Sequence, residues 1–240
     1  MTTMFESEGY LLIHSGYQNP APHSHMAAQL VICPEGTMTV SVQGDTWECS
    51  GILIPMGVMH SIDTKGKAVL VLLMDCTTKA AGAVSRCSTL PDAVCGIIFS
   101  EFQRIQEGES GDFIRFCMAQ IEIEYPGSRI HDPRILDAIR HIRCNLSEKL
   151  TCREVAEAVF LSQSRFSHLF KQQVGMTFAA YLVYQRLMYA YTQILLGKSI
   201  TEAAISAGFS GSGHFADVNR RVFGLSASHI TDNLIFSKVK

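Results

Sequence analysis

What the sequence lacks narrows its class first. None of its 8 cysteines stand in Cys-x-x-Cys spacing, so neither a zinc knuckle nor a disulfide framework is indicated. They read instead as the reduced thiols of a cytoplasmic protein. Long hydrophobic runs are also missing: the longest strongly apolar stretch, Ala68 to Met74, is far too short to cross a bilayer. The start of the chain shows no basic-then-apolar secretion pattern, and no low-complexity segment follows. The expectation is a soluble cytoplasmic protein with no membrane partner.

Charge of one sign is scarce overall, with a net of -2. That balance alone argues against a nucleic-acid partner, yet the two halves differ. Residues 1–131 carry 7 Lys+Arg against 14 Asp+Glu, a net of -7, whereas residues 132–240 carry 13 against 8, a net of +5. A chain of 240 residues is long enough for two modest domains, and the basic one lies second.

In that second half a pattern occurs twice between Leu150 and Gly224. Val155, Ala156, Val159 and Leu161 match Ala203, Ala204, Ala207 and Phe209 at an offset of 48. After a turn the offset becomes 49, pairing Phe166 with Phe215, Leu169 with Val218 and Gly175 with Gly224. Each copy suits two short helices crossing steeply: Ala156 and Ala204 permit close approach, and Phe166 and Phe215 bury against the crossing. The turns end in Ser162 and Ser210, residues able to cap the next helix. Between the copies, Thr177 to Leu196 reads as one helix with Phe178, Tyr181, Leu182, Leu187, Met188, Tyr191, Ile194 and Leu195 on its apolar stripe and Gly197 as its stop. Such a rod spans roughly 30 Å, near the ~34 Å repeat of duplex DNA.

These residues resemble the DNA-binding domain of the AraC/XylS family of transcription regulators over about Asp132 to Ile230. The resemblance implies a double-stranded DNA operator as partner, RNA polymerase as a second partner if the protein activates, and two recognition helices. In the first, matching selects Ser164, Ser167 and His168 for bases, with Gln163 and Arg165 beside them and Lys171 on phosphate. In the second, Gly213, His214 and Asp217 take the base-facing positions, Ser212 joins the DNA-binding set, and Arg220 and Arg221 meet the phosphates. Asn219 replaces an aromatic at the position of Phe170, which weakens the expected core, and Leu225 to Ser228 lacks the usual Pro.

The first half reads as short strands: Tyr10 to Ile13, Leu30 to Ile32, Met38 to Val42, Ile52 to Ile54 and Val69 to Met74, with turns at Pro34-Glu35-Gly36 and Gly44-Asp45. An antiparallel barrel or sandwich follows. Within it, His23-Ser24-His25 with Gln29, and Pro55 to His60, resemble the two motifs of the cupin barrel. That resemblance implies a site of His23, His25, Gln29 and His60 for a divalent metal such as Zn, Ni, Fe or Mn, or equally for an organic effector. His23 and His25 are expected on one face of a strand, and Trp47 in the packing.

Beyond the barrel, Ala80 to Leu90 reads as a loop or irregular helix start. Val94, Ile97, Ile98, Phe102 and Ile105, then Phe113, Phe116, Cys117 and Ile121, form the stripes of a helical hairpin broken at Gly108 to Gly111. In the resembled family such helices often pair subunits, so a homodimer is expected. Tyr125 to Arg129 marks a boundary. Asp132-Pro133 then opens a helix with Ile135, Leu136, Ile139, Ile142 and Leu146 inward.

The expected fold is therefore α+β in two domains. A cupin-like antiparallel β-barrel with a helical hairpin spans residues 1–125, a linker 126–131, and an all-α domain with two helix-turn-helix motifs joined by a long helix 132–240. The expected function is a transcription regulator, not an enzyme, whose first domain senses a small molecule or metal. The alternative is a cupin-type metal-dependent oxygenase or isomerase with an appended DNA-binding domain.

Overall fold

The computed structural model describes residues 2–7, 9–16, 21–107, 112–124, 130–223 and 234–236. They belong to two compact units, Met1–Gly127 with Arg221–Lys240, and Ser128–Arg220. No helix among the described residues is long and apolar enough to cross a membrane.

The first unit contains β1 (Thr2–Ser7), β2 (Tyr10–Gly16), β3 (Ala27–Ile32), β4 (Met38–Val42), β5 (Asp45–Cys49), β6 (Gly51–Ile54), β7 (His60–Asp63), β8 (Ala68–Asp75), α1 (Lys79–Ala83), β9 (Ser88–Thr89), α2 (Asp92–Gln106), α3 (Phe113–Gln120) and β10 (Leu234–Phe236). Seven strands form one sheet in the order β10-β1-β2-β8-β3-β6-β9, and β5-β4-β7 form a second. The two sheets are not closed into a barrel, which corrects the sequence expectation. Closure needs an unbroken ladder from strand to strand. Here the chain leaves the large sheet after β6 and enters the small one at β7, with only the isolated bridge between His23 and His60 preceding β3.

Strands β3, β6 and β8 are buried along almost their whole length because both faces are covered. One face carries Ala28, Leu30, Ile32, Leu53, Leu70, Leu72 and Met74, which share a core with Ala80 and Ala81 of α1, Ile98 and Phe102 of α2, and Phe113 and Cys117 of α3. Phe102 has no exposed surface, and truncating such a side chain to Ala costs ~3–5 kcal/mol. The opposite face of β3 presents Gln29, and this is the face on which the candidate site lies. The β4–β5 hairpin turns at Gln43-Gly44, one residue earlier than expected, because Val42 pairs with Asp45 and both turn residues have positive φ.

The second unit holds α4 (Pro133–Cys144), α5 (Cys152–Ala158), α6 (Gln163–Val174), α7 (Phe178–Leu195) and α8 (Ile200–Ser206), with α9 (Ser212–Phe223) ending just past it. Asp132 caps α4 through Arg134 N, with Pro133 at the first turn. Thr177 caps α7, and Gly197, at φ 91°, stops it. Tyr181, Leu182, Leu187 and Tyr191 of α7 are buried as its stripe requires. Two residues expected inside are outside: Ile97 is 47% exposed and Leu136 45%. Both sit next to a buried residue, Ile98 and Ile135, where a 100° step per residue carries one of the pair off the packed face. The breaks expected at Gly108 to Gly111 and Tyr125 to Arg129, Gly224, and the segment Leu225 to Ser228 lie outside the described residues.

Candidate histidine centre and nucleic-acid interface

His23, His25 and His60 converge in the first unit with their ligand atoms all within 4.8 Å of one another, and all three are buried. His60 opens β7; His23 and His25 belong to the irregular segment before β3 rather than to a strand, so the expected strand alternation is not what aligns them. Two reciprocal backbone bonds do so instead, His23 N to His60 O at 3.0 Å and His60 N to His23 O at 2.9 Å. A further bond from Gly57 N to His25 O at 2.9 Å ties the Pro55-Met56-Gly57 turn to the same segment.

Each imidazole also has its Nδ1 on a backbone carbonyl two residues away: His23 on Ala21 O at 2.9 Å, His25 on Ala27 O at 3.0 Å and His60 on Val58 O at 2.9 Å. A carbonyl only accepts, so each neutral ring carries its proton on Nδ1 and leaves Nε2 a lone pair. The Nε2 of His60 is buried with no hydrogen-bond partner among the described residues. That of His25 lies 3.0 Å from Gln29 Oε1, which places two acceptors face to face. Either the amide turns its NH2 to the ring, or a cation shared by both atoms accounts for the pair.

Burial holds all three rings neutral. The pKa of His25 is lowered to about 3, first by desolvation and then by the neighbouring His60 and His23. That of His23 is lowered to about 4, by desolvation and then His60, and that of His60 is lowered chiefly by desolvation. Neutral imidazoles with ligand nitrogens this close together are the form that binds a cation. A buried three-histidine group of this kind could hold a metal ion, with Gln29 as a fourth donor. All eight cysteines are free thiols and none joins this group.

In the second unit both helix-turn-helix copies are present. Thr151 caps α5 and Ser199 caps α8, each in a reciprocal capping box with Glu154 and Glu202. These pairs stand at the repeat's offset of 48, an S/T-x-x-E signal that extends the duplication beyond its apolar positions. Ala156 and Ala204 are fully buried at the crossings, as are Phe166 and Phe215. Ser162 caps α6 through Arg165 N. Ser210 does not repeat this role: the inserted Gly211 supplies the first helical acceptor, to Phe215 N, and Ser210 Oγ instead lies 3.2 Å from His214 Nδ1.

Gln163, Ser164, Arg165, Ser167, His168 and Lys171 all lie on the exposed side of α6, opposite Phe166, Leu169 and Phe170. On α9, Gly213, His214, Asp217, Arg220 and Arg221 are exposed and Ser212 half-buried. His214 is held by Ser210 and by an edge contact with Phe209, ring centroids 5.4 Å apart. The expected weakness at Asn219 is not found: Asn219 is fully buried and accepts a short hydrogen bond from the Tyr191 hydroxyl, a polar pair in place of the aromatic.

Arg186, which sequence reasoning passed over, joins the loop before the first copy to the turn of the second. From the middle of α7 its guanidinium donates to Leu146 O at 3.2 Å and Glu148 O at 2.7 Å in the loop before α5. It also lies against Gly208 in the second turn, where a Cβ would come within 2.8 Å of Leu146 O and 3.0 Å of the guanidinium. The matching corner of the first copy is Phe160, 94% exposed and also at positive φ, 57°. An isolated Arg in an amphipathic helix carries no sequence signal for such a bridge.

Fold and faces together define a two-unit protein with a β-sheet domain before a duplicated helix-turn-helix. A model of the family described as a helix-turn-helix domain matches residues 155–233. The HTH-type transcriptional regulator ArgR of Pseudomonas aeruginosa is 27% identical over 164 residues, 67% of this chain and 45% of that protein. The arabinose operon regulatory protein of Salmonella typhimurium is 33% identical over 101 residues, 40% of this chain and 35% of that one. The chain thus spans less than half the length of these curated relatives. In fold it is similar to ToxT from Vibrio cholerae, with a TM-score of 0.64 at 12% identity, covering 94% of this chain and 98% of that one. Residues 155–233 thus match a helix-turn-helix domain family, and the relatives similar to this part of the chain are transcription regulators.

Proposed function

We propose that the chain is a transcription regulator in which the histidine centre of the first unit controls operator binding by the second. The observation that carries this reading is three neutral imidazoles with their ligand nitrogens close together in a buried centre, on a chain that also presents two exposed, cation-bearing helix faces. Ser164, Ser167 and His168 read bases from α6, Gln163 and Arg165 beside them reach a base or phosphate, and Lys171 binds phosphate. Gly213, His214 and Asp217 face bases from α9, Ser212 joins them in binding DNA, and Arg220 and Arg221 anchor the helix to the backbone. His23, His25, Gln29 and His60 hold a divalent ion such as Zn, Ni, Fe or Mn. A ligand with different affinity for DNA-competent and incompetent arrangements shifts the balance between them. The working partition is 1–125 for sensing and pairing of a homodimer, 126–131 as linker and 132–240 for DNA, in the cytoplasm, with RNA polymerase as partner if the protein activates.

The test is elemental analysis of untagged protein prepared without chelator, alongside affinity for an operator selected from random duplexes, with and without chelator. Metal lost in His25→Ala and His60→Ala, and operator affinity that changes with it, supports the reading. Metal-free protein that takes up none of the candidate ions refutes the metal. One observation favours a second reading: ToxT, similar in fold, has been solved with an unsaturated fatty acid bound, so an organic effector in the first unit is the alternative. Operator binding that responds to such a ligand and not to metal would select it.

A further inference from the structure

The donor set of the histidine centre carries no negative charge. Its members are three neutral imidazoles, each with its Nδ1 proton engaged by a backbone carbonyl, and the amide of Gln29. No Asp or Glu joins the group among the described residues. The residues are buried, with His60 only 1% exposed. A divalent ion there would keep its full charge away from water, and an uncompensated buried charge costs several kcal/mol. Nearby dipoles offset part of that, but the three backbone carbonyls are already engaged by the ring protons. The missing element is an anion, and one from outside the chain has to supply it.

Resting on the metal reading above, we propose that the centre binds a divalent transition metal tightly only together with a small carboxylate, which supplies the charge and donor oxygen that Gln29 does not. The carboxylate is then the sensed species and the ion its anchor. The assignment is to a small coordinating acid, because a carboxylate oxygen matches both the charge and the donor type of a borderline divalent ion with imidazole partners. Gln29 is the residue that creates this dependence: Gln29→Glu would place a carboxylate at the same position in the chain itself.

The experiment is titration of the metal-free full-length protein with Co2+ in a weakly coordinating buffer, with and without excess acetate, followed by calorimetry and by the visible absorption of the ion. In the wild type, acetate is expected to tighten Co2+ binding by about tenfold or more and to change its absorption bands. In Gln29→Glu, Co2+ is expected to bind about tenfold tighter than the acetate-free wild type, with little further response to acetate. Tight Co2+ binding by the wild type with affinity and spectrum unmoved by acetate overturns the inference while leaving the metal reading standing. No Co2+ uptake under any condition overturns the metal reading and this inference with it. The acetate response of the wild type alone decides the matter should Gln29→Glu fail to fold, which Trp47 fluorescence would reveal.

Discussion

Neutral histidines packed together make the first unit sensitive to acid in a defined window. A free histidine in the unfolded chain titrates near 6.5, whereas in the fold His23 titrates at about 4 and His25 at about 3. Because both values are lowered, the unfolded chain binds more protons than the native one throughout that interval, so stability falls as pH falls from 6.5 toward the folded values. Each pH unit in the window costs ~1.4 kcal/mol per histidine, so at about pH 5 each of His23 and His25 costs about 2 kcal/mol relative to neutral pH. Below the folded values the cost stops growing. The assay is urea unfolding with chelator present, read by fluorescence. Trp47 is the sole tryptophan and lies on β5, so the signal reports the first unit and not the second. His25→Gln should remove one histidine's share, leaving the variant about 2 kcal/mol less acid-sensitive than the wild type over the same interval. Carboxylates elsewhere titrate equally in both proteins and cancel. Equal losses in wild type and variant between neutral pH and about pH 5 would refute the burial and neutrality argued for the centre.

Phe160→Gly should stabilise the helical unit by about 1 kcal/mol, since a left-handed backbone strains a residue with a Cβ and the ring makes almost no buried contact; a loss of stability in a far-UV melt would contradict this. Gly208→Ala should cost ~2–4 kcal/mol in the same melt, because the added Cβ meets a backbone carbonyl and strains a φ of 82°, and an unchanged melting temperature would show that the corner can yield. Lys171→Ala should weaken binding to all duplexes alike and reduce the salt slope by about 1, whereas His168→Ala should alter sequence preference. The reverse pattern in a salt series on selected and random duplexes would exchange their roles.

Much of the second unit was legible beforehand because its information is local and repeated. The caps at Asp132 and Ser162, the stop at Gly197 and the small residues at the crossings follow from short-range helix chemistry. The failures there have non-local causes. Ser210 could not be told from Ser162 because a single inserted residue, Gly211, shifts the start of the helix. Asn219 looked like a defect until Tyr191, 28 positions away, supplied its partner. In the first unit β1, β5, β7, β9 and β10 went unread: β5 exposes most of its residues, and β7, β9 and β10 are only four, two and three residues long.

The sequence by itself determined which side chains compose the two candidate surfaces, because residue type and motif spacing are properties of the chain: His23, His25, Gln29 and His60 on one, the exposed faces of α6 and α9 on the other. Only the tertiary structure decided how they are arranged. A half-buried strand alternates in the same way in a closed barrel and in two open sheets, so strand pairing alone separated the two. Likewise, the direction of each imidazole proton depends on which carbonyl lies beside Nδ1, and Arg186 ties α7 to the loop before α5 by reaching carbonyls about 40 residues away. Those contacts exist only after the chain has folded, since they join atoms whose separation along the sequence carries no local preference.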